Sequence, residues 1–289
     1  MRRLGVVGGS GFYHLPELAE SEGIVIATPY GAPSGDLRLG VIGQTEVVFV
    51  PRHGPDHSFS PAKVPYRANI YALKALDVSH VLSISAVGSL RQELPPRSAV
   101  LPDQIIDRTV DRERTFFDGG VVAHVGLADP FCGEFRARIE MAAERVNQPV
   151  HPGGTYICIE GPQFSTRAES RLYRAWDGSV IGMTAMPEAR LAREAELCYA
   201  TLAMVTDYDV WHETEGDVSV ELVRGHLRAN LDTSAAILRS LGGSGLPDRN
   251  CDCGNALARA MMSPPDRIGS DDCERLGVIV ERYSRAPAS

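Results

Sequence analysis

Residues 200–209 read Ala-Thr-Leu-Ala-Met-Val-Thr-Asp-Tyr-Asp: a short apolar run that ends in two carboxylates, Asp207 and Asp209, with one residue between them. An apolar run of this length bounded by polar residues is the pattern of a strand buried on both faces of a parallel sheet. Strands of that kind deliver ligand-binding groups at their carboxyl ends. Taken alone, an Asp-x-Asp is as readily a solvated turn or a helix cap.

The same arrangement recurs along the chain. Val6-Val7 runs into Gly8-Gly9-Ser10-Gly11, Val47–Val50 into Arg52-His53, and Val81–Ile84 into Ser85, Ala86 and Gly88. Tyr156–Ile159 runs into Glu160-Gly161-Pro162-Gln163-Phe164-Ser165, and Val180–Met183 into Thr184. Six such runs, separated by helical patterns, predict one α/β domain whose single sheet presents one polar rim. A hairpin is expected over 37–50, turning at Gly43-Gln44, and helices over 65–76, 133–146, 166–176, 187–196 and 218–241. The alternating charges from Arg108 to Arg114 read as a solvated loop or helix face.

Composition sets the limits. At 289 residues and 44% hydrophobic content the chain can bury a substantial core. A net charge of −8 and a pI near 5.5 argue against a nucleic-acid surface, though not against a phosphate held by a few local donors. The amino terminus enters a strand directly, and no run approaches the roughly 20 apolar residues of a membrane span, so a cytoplasmic protein is expected. The Gly-rich stretch from Gly242 reads as a linker, dividing a domain over 1–243 from an extension over 244–289. That extension carries Cys251-Asp252-Cys253. No nearby His or Cys pair completes a zinc ligand set, so no metal is expected, and a disulfide or redox pair stands against two ordinary thiols.

Several groups suit chemistry. Gly8–Gly11 can form a main-chain nest for an anion, with the Ser10 hydroxyl as a further donor. Phe12–Pro16 interrupts the helix that a dinucleotide site would need, and the Walker lysine pattern is absent. Arg52 is a planar bidentate donor and His53 adds an imidazole. Together Ser10, Arg52, His53, the Ala86 N–H and Thr184 would suit one inorganic phosphate.

In this order the residues resemble the trimeric purine nucleoside phosphorylase family, and most closely its methylthioadenosine phosphorylase branch. The matching stretches are Gly8–Gly11, Arg52–Gly54, Pro65–Asn69, Ala86–Arg91, Asp129–Cys132, Ile159–Ser165, Met183-Thr184, Pro187-Glu188 and Thr206–Asp209. The resemblance implies a central mixed, largely parallel twisted sheet flanked by helices, and a homotrimer or dimer of trimers. It implies phosphate-dependent cleavage of 5′-methylthioadenosine to adenine and 5-methylthioribose 1-phosphate, with phosphate as co-substrate and no cofactor.

Carried over, Ser10, Arg52, His53, Ala86 and Thr184 would hold phosphate. Met183 would lie against ribose and Phe164 beside the base. Ser165 and Asp209 would meet the purine edge, and Asp207 would share a proton at N7. Val218, Val220 and Val223 would wall the 5′-methylthio group, with His124 supplied by a neighbouring subunit. A carboxylate at 207 accepts from a 6-amino group and opposes a 6-oxo group, which favours adenine. Two residues depart from the branch: Gly182 stands where Asn is usual, as in the purine nucleoside branch, and Ser10 replaces a common Thr. A broader purine nucleoside phosphorylase acting on adenosine, inosine or 5′-halogenated adenosine, a hydrolytic nucleosidase and a nucleotide sensor without turnover are the competing readings.

Overall fold

The computed structural model describes residues 2–9, 21–212, 219–246, 248–264 and 268–284. Eleven strands among them form one mixed sheet. β1 (Arg3–Gly8) is flanked on both edges in parallel, by β4 (Thr45–Pro51) and by β5 (Val78–Ser89). β2 (Glu22–Ile24) and β3 (Leu37–Ile42) extend the β4 side by antiparallel pairing, and β3–β4 is the expected hairpin. β11 (Cys198–Asp207) runs parallel to β5 and is buried at all ten positions. Its apolar sequence, with no alternation, is the mark of a strand covered on both faces.

The remaining strands complete the sheet around these. β6 (Ala99–Leu101) crosses antiparallel to β11 and pairs with β8 (Val150–Pro152). β7 (Gln104–Arg108), β9 (Thr155–Ile159) and β10 (Gly178–Gly182) are mutually parallel. β10, however, meets β5 antiparallel. The expected mixed sheet is found, and its strand ends reach the polar rim from two directions. β1, β4, β5 and β11 run one way, and β9 and β10 arrive head-on from the other.

This opposition positions the site. The β1 ladder along β5 ends at Val7↔Ser83, and the β10 ladder begins at Ile181↔Gly88. β11 holds the opposite edge of β5 through this stretch. Ile84 to Val87 thus have no strand partner on one edge, and the carboxyl ends of β1 and β10 face each other across the gap. A break in strand order of this kind is where open α/β sheets bind ligands.

Helices cover both faces: α1 (Tyr66–Ala75), α2 (Gly133–Arg145), α3 (Arg167–Ala175), α4 (Ala185–Glu194) and α5 (Val220–Gly243). Each falls within two residues of its expected bounds. α3 begins on a reciprocal cap, the Thr166 hydroxyl accepting from the Glu169 N–H while the Glu169 carboxylate accepts from the Thr166 N–H. Beyond α5, the short helices α6 (Ser270–Leu276) and α7 (Glu281–Ser284) lie in the extension. Leu257, Ala260, Leu276, Ile279 and Val280 of the extension are buried in the same apolar cluster as α1 and α4. None of the described helices is long and apolar enough to cross a membrane.

Candidate active site

A cavity of about 600 Å³ opens at the gap between β1 and β10. Of the expected residues, Arg52, His53, Ala86, Phe164, Ser165, Met183, Thr184, Asp207, Asp209 and Val223 line it. Ser10 and Val218 lie outside the described residues, and of Val220 only the backbone, at the start of α5, is described. His124 lies elsewhere in this chain, on an exposed segment whose N–H donates to the Ala260 carbonyl.

In the cavity, Ala86 is the single exposed position in the otherwise buried β5, and it falls within the unpaired stretch. Thr184 follows β10 and precedes α4, and its hydroxyl finds no partner of full hydrogen-bond geometry among the described residues. The His53 Nδ1 lies 2.9 Å from the Phe59 carbonyl, so Nδ1 carries the proton and Nε2 offers a lone pair. Burial and the adjacent Arg52 guanidinium push this imidazole down to about 4, which keeps it neutral near pH 7. The His57 ring stacks on it at 4.4 Å.

Arg52 lines the cavity and is also tied into the protein. Its side chain is 2% exposed and forms a buried ion pair with Glu188, Nε to Oε1 at 2.6 Å. Nη1 donates to the Ile84 carbonyl, and Nη2 donates to Ser83 Oγ, with the Val7 carbonyl and Glu188 Oε2 also in reach. Of the five N–H groups, one on Nη1 is left for the cavity, so the bidentate face is spent on the protein. Burial opposes the charge, but the Glu188 carboxylate more than offsets it and holds the guanidinium firmly protonated. Ser83 Oγ and Tyr199 Oη also donate to Glu188, at 2.9 and 3.0 Å. The motif residue Glu188 is therefore the anchor of the arginine.

The two acids at the end of β11 line the same cavity. Asp207 accepts from the Thr206 hydroxyl at 2.7 Å and the Asp209 N–H at 2.8 Å. Burial raises its pKa against these bonds, and burial raises that of Asp209 as well, with Asp207 adding repulsion. Ser165 Oγ, Asp209 Oδ2 and Asn230 Oδ1 have no partner of hydrogen-bond geometry among the described residues. Buried polar atoms are normally paired, so their convergence on one cavity, with Thr184 Oγ1 and Ser85 Oγ, marks it as a ligand site. Much of the remaining wall is apolar: Ile84, Ile181, Met183, Met204, Leu227 and Leu231.

Two parts of the site escaped the sequence reading. Beyond the expected Val223, one face of α5 lines the cavity through Arg224, Leu227, Asn230, Leu231 and Ser234. Their spacing of three, four and seven was visible as a helical stripe, but a stripe reads first as core. The other is Arg112, within the stretch expected to be solvated. Its side chain is 1% exposed. Nη1 donates to the carbonyls of Met183 (2.7 Å) and Met186 (2.6 Å), and Nη2 to that of Glu160 (2.6 Å). It ties the loop after β9 to the loop after β10, beneath Met183 and Thr184. The alternating charges around it concealed one buried member.

A family model described as the phosphorylase superfamily matches residues 3–241. The S-methyl-5′-thioadenosine phosphorylase of Geobacter sulfurreducens is 48% identical, the alignment covering 97% of this chain and 98% of that protein. The enzyme of the same name from Gloeobacter violaceus is 46% identical, covering 97% and 96%. Among solved structures, a methylthioadenosine phosphorylase from an Antarctic soil metagenomic library superposes with a TM-score of 0.90 at 43% identity, over 96% of this chain and 98% of that one. Methylthioadenosine phosphorylase from Schistosoma mansoni, in complex with adenine, gives 0.86 at 33% identity, over 91% and 99%.

Proposed function

This chain belongs to the phosphorylase superfamily, and from that premise we propose that it cleaves 5′-methylthioadenosine with inorganic phosphate, releasing adenine and 5-methylthioribose 1-phosphate. The observation that carries the reading is the lining of one cavity. Anion donors at the strand gap, an acid pair raised in pKa by burial and an apolar wall share the same space.

Phosphate is assigned to the gap, against the Ala86 main chain, the Thr184 hydroxyl, the remaining Arg52 N–H and His53, with Ser10 as a further donor. Neutral His53 presents a lone pair through Nε2, which accepts a hydrogen bond from a protonated phosphate oxygen and leaves the nucleophilic oxygens free. Met183 lies against the ribose, with Phe164 and Ser165 at the base. The purine leaves with negative charge on its imidazole ring, and Asp207 supplies or shares a proton at N7. Burial favours that protonated state, and an acid matched to its working pH is the efficient donor. Asp209 accepts from the 6-amino group. Phosphate oxygens then attack C1′ of an oxocarbenium-like ribose held in the same cavity.

The 5′ substituent falls to the apolar wall near Val223, with Val218, Val220 and the partner-supplied His124 completing the pocket in a homotrimer. A 5′-hydroxyl would be left without a partner against such a wall, which favours the thioether. No cofactor enters the reaction, and the protein works in the cytoplasm. The test is adenine release from methylthioadenosine, adenosine and inosine, each with and without phosphate. Methylthioadenosine turnover that continues at full rate without phosphate would overturn the proposal, as would equal turnover of inosine.

A further inference from the structure

The expectation that Cys251 and Cys253 lack further metal ligands is corrected by the fold. Cys198 opens β11 and Cys132 caps α2, and the Cys132 N–H donates to the Tyr199 carbonyl, which locks the two side by side. The extension brings Cys251 and Cys253 onto them. The four sulfurs all lie within 4.8 Å of one another. None is in a disulfide.

The geometry points to a tetrathiolate site for a single zinc ion, formed by Cys132, Cys198, Cys251 and Cys253. A zinc–sulfur distance of about 2.3 Å gives a tetrahedron with edges of about 3.8 Å. The Cys132 and Cys198 sulfurs stand 3.7 and 3.4 Å from Cys251 Sγ, close to that edge. A disulfide would need either pair to close to about 2.05 Å. Clusters of several irons spread their cysteine ligands wider than this, so the spacing suits one tetrahedral ion. Three of the sulfurs belong to buried residues, and Cys251 is partly exposed, giving the ion a way in.

Binding is a proton exchange without redox change: four thiols release four protons and the site becomes a zinc tetrathiolate of charge −2. Two neighbours suit that charge. Arg193 Nη1 donates to Cys253 Sγ at 3.5 Å. Cys132 sits at the amino end of the thirteen-residue α2, where a thiolate is favoured.

The consequence is structural. Cys132 and Cys198 are 119 and 53 residues from Cys251, so one ion fastens the extension to the core. The fastened segment continues to Leu257, whose N–H donates to Glu196, and to Ala260 and Met261, which pair with the segment carrying His124. The zinc thus fixes the frame of a loop that the proposed trimer presents to its neighbour.

The test uses tag-free full-length protein purified in degassed buffer without reductant or chelator. Elemental analysis should give about one zinc per chain. The intact mass after denaturation should be that of the chain with all six cysteines reduced. Protein prepared in cobalt should show the intense absorption of a tetrahedral cobalt–thiolate centre, a readout independent of any variant's folding. Cys251→Ser with Cys253→Ser should lose the metal, and Cys273→Ser should keep it. A mass two or four hydrogens short, marking one or two disulfides, would overturn the proposal. So would metal-free protein that takes up neither zinc nor cobalt.

Discussion

The hydroxyl of Tyr156 fills the space that any side chain at residue 182 would need. A Cβ on Gly182 would stand 2.0 Å from Tyr156 Oη and 2.8 Å from its ring carbon. The departure of Gly182 from the branch pattern therefore has a local cause: the bulk lost at 182 is returned by a tyrosine on the neighbouring strand, paired with β10 at Val180. Gly182→Asn should destabilise the fold by about 1–3 kcal/mol through overpacking. Adding Tyr156→Val should recover much of that loss. Thermal melts of both single variants and the double variant form the cycle, and strict additivity would refute the exchange.

The legibility of this chain divides along the same physical line. β11, the hairpin and the helix bounds were readable because period and length report burial directly. Asp207, Thr184 and Ser165 were readable as site residues because each follows an apolar strand. The head-on meeting of β10 and β5 was not readable, since a buried strand carries no sign of its direction. Arg112 was misread, and the buried pairing of Arg52 missed, for a related reason. Sequence shows a cation, and only the fold shows whether carbonyls and a carboxylate such as Glu188 surround it. Cys132 and Cys198 were unreadable as partners of Cys251, because their proximity is created by the path of the chain.

Glu188→Gln should unfold far more readily than a substitution at a phosphate-facing side chain. It leaves the Arg52 charge buried with only neutral acceptors, and breaking such a pair costs about 3–5 kcal/mol. The loss should be present in melts without phosphate. A variant whose melting temperature falls only when phosphate is added to both proteins would point instead to a purely ligand-binding role.

Arg112→Met removes the donors that hold the Met183, Met186 and Glu160 carbonyls while filling similar volume. The loops after β9 and β10 carry Phe164, Ser165, Met183 and Thr184, so the effect should fall on both substrates. A rise in KM for nucleoside and for phosphate, with kcat down about tenfold or more, is expected from misplacement alone. Unchanged kinetics in a folded variant would remove Arg112 from the positioning of the site.

Asp207→Asn separates catalysis from stability, and the sign can be worked out. Burial raises the Asp207 pKa above its ordinary 3.8, so the folded state binds the proton more tightly than the unfolded one. Between the ordinary value and the raised one, stability falls as pH rises, and above that window the folded protein carries the full cost of a buried carboxylate. Asparagine removes that cost yet keeps an oxygen for the Asp209 N–H. The variant should therefore melt higher than the parent at pH above the raised pKa, with the difference shrinking as pH drops toward the ordinary carboxylate range. Its turnover of methylthioadenosine should fall by about 10²–10⁴, the usual worth of a positioned general acid. Lower melting above that pKa together with near-normal turnover would mean that Asp207 is a structural carboxylate and that the proton at N7 comes from elsewhere.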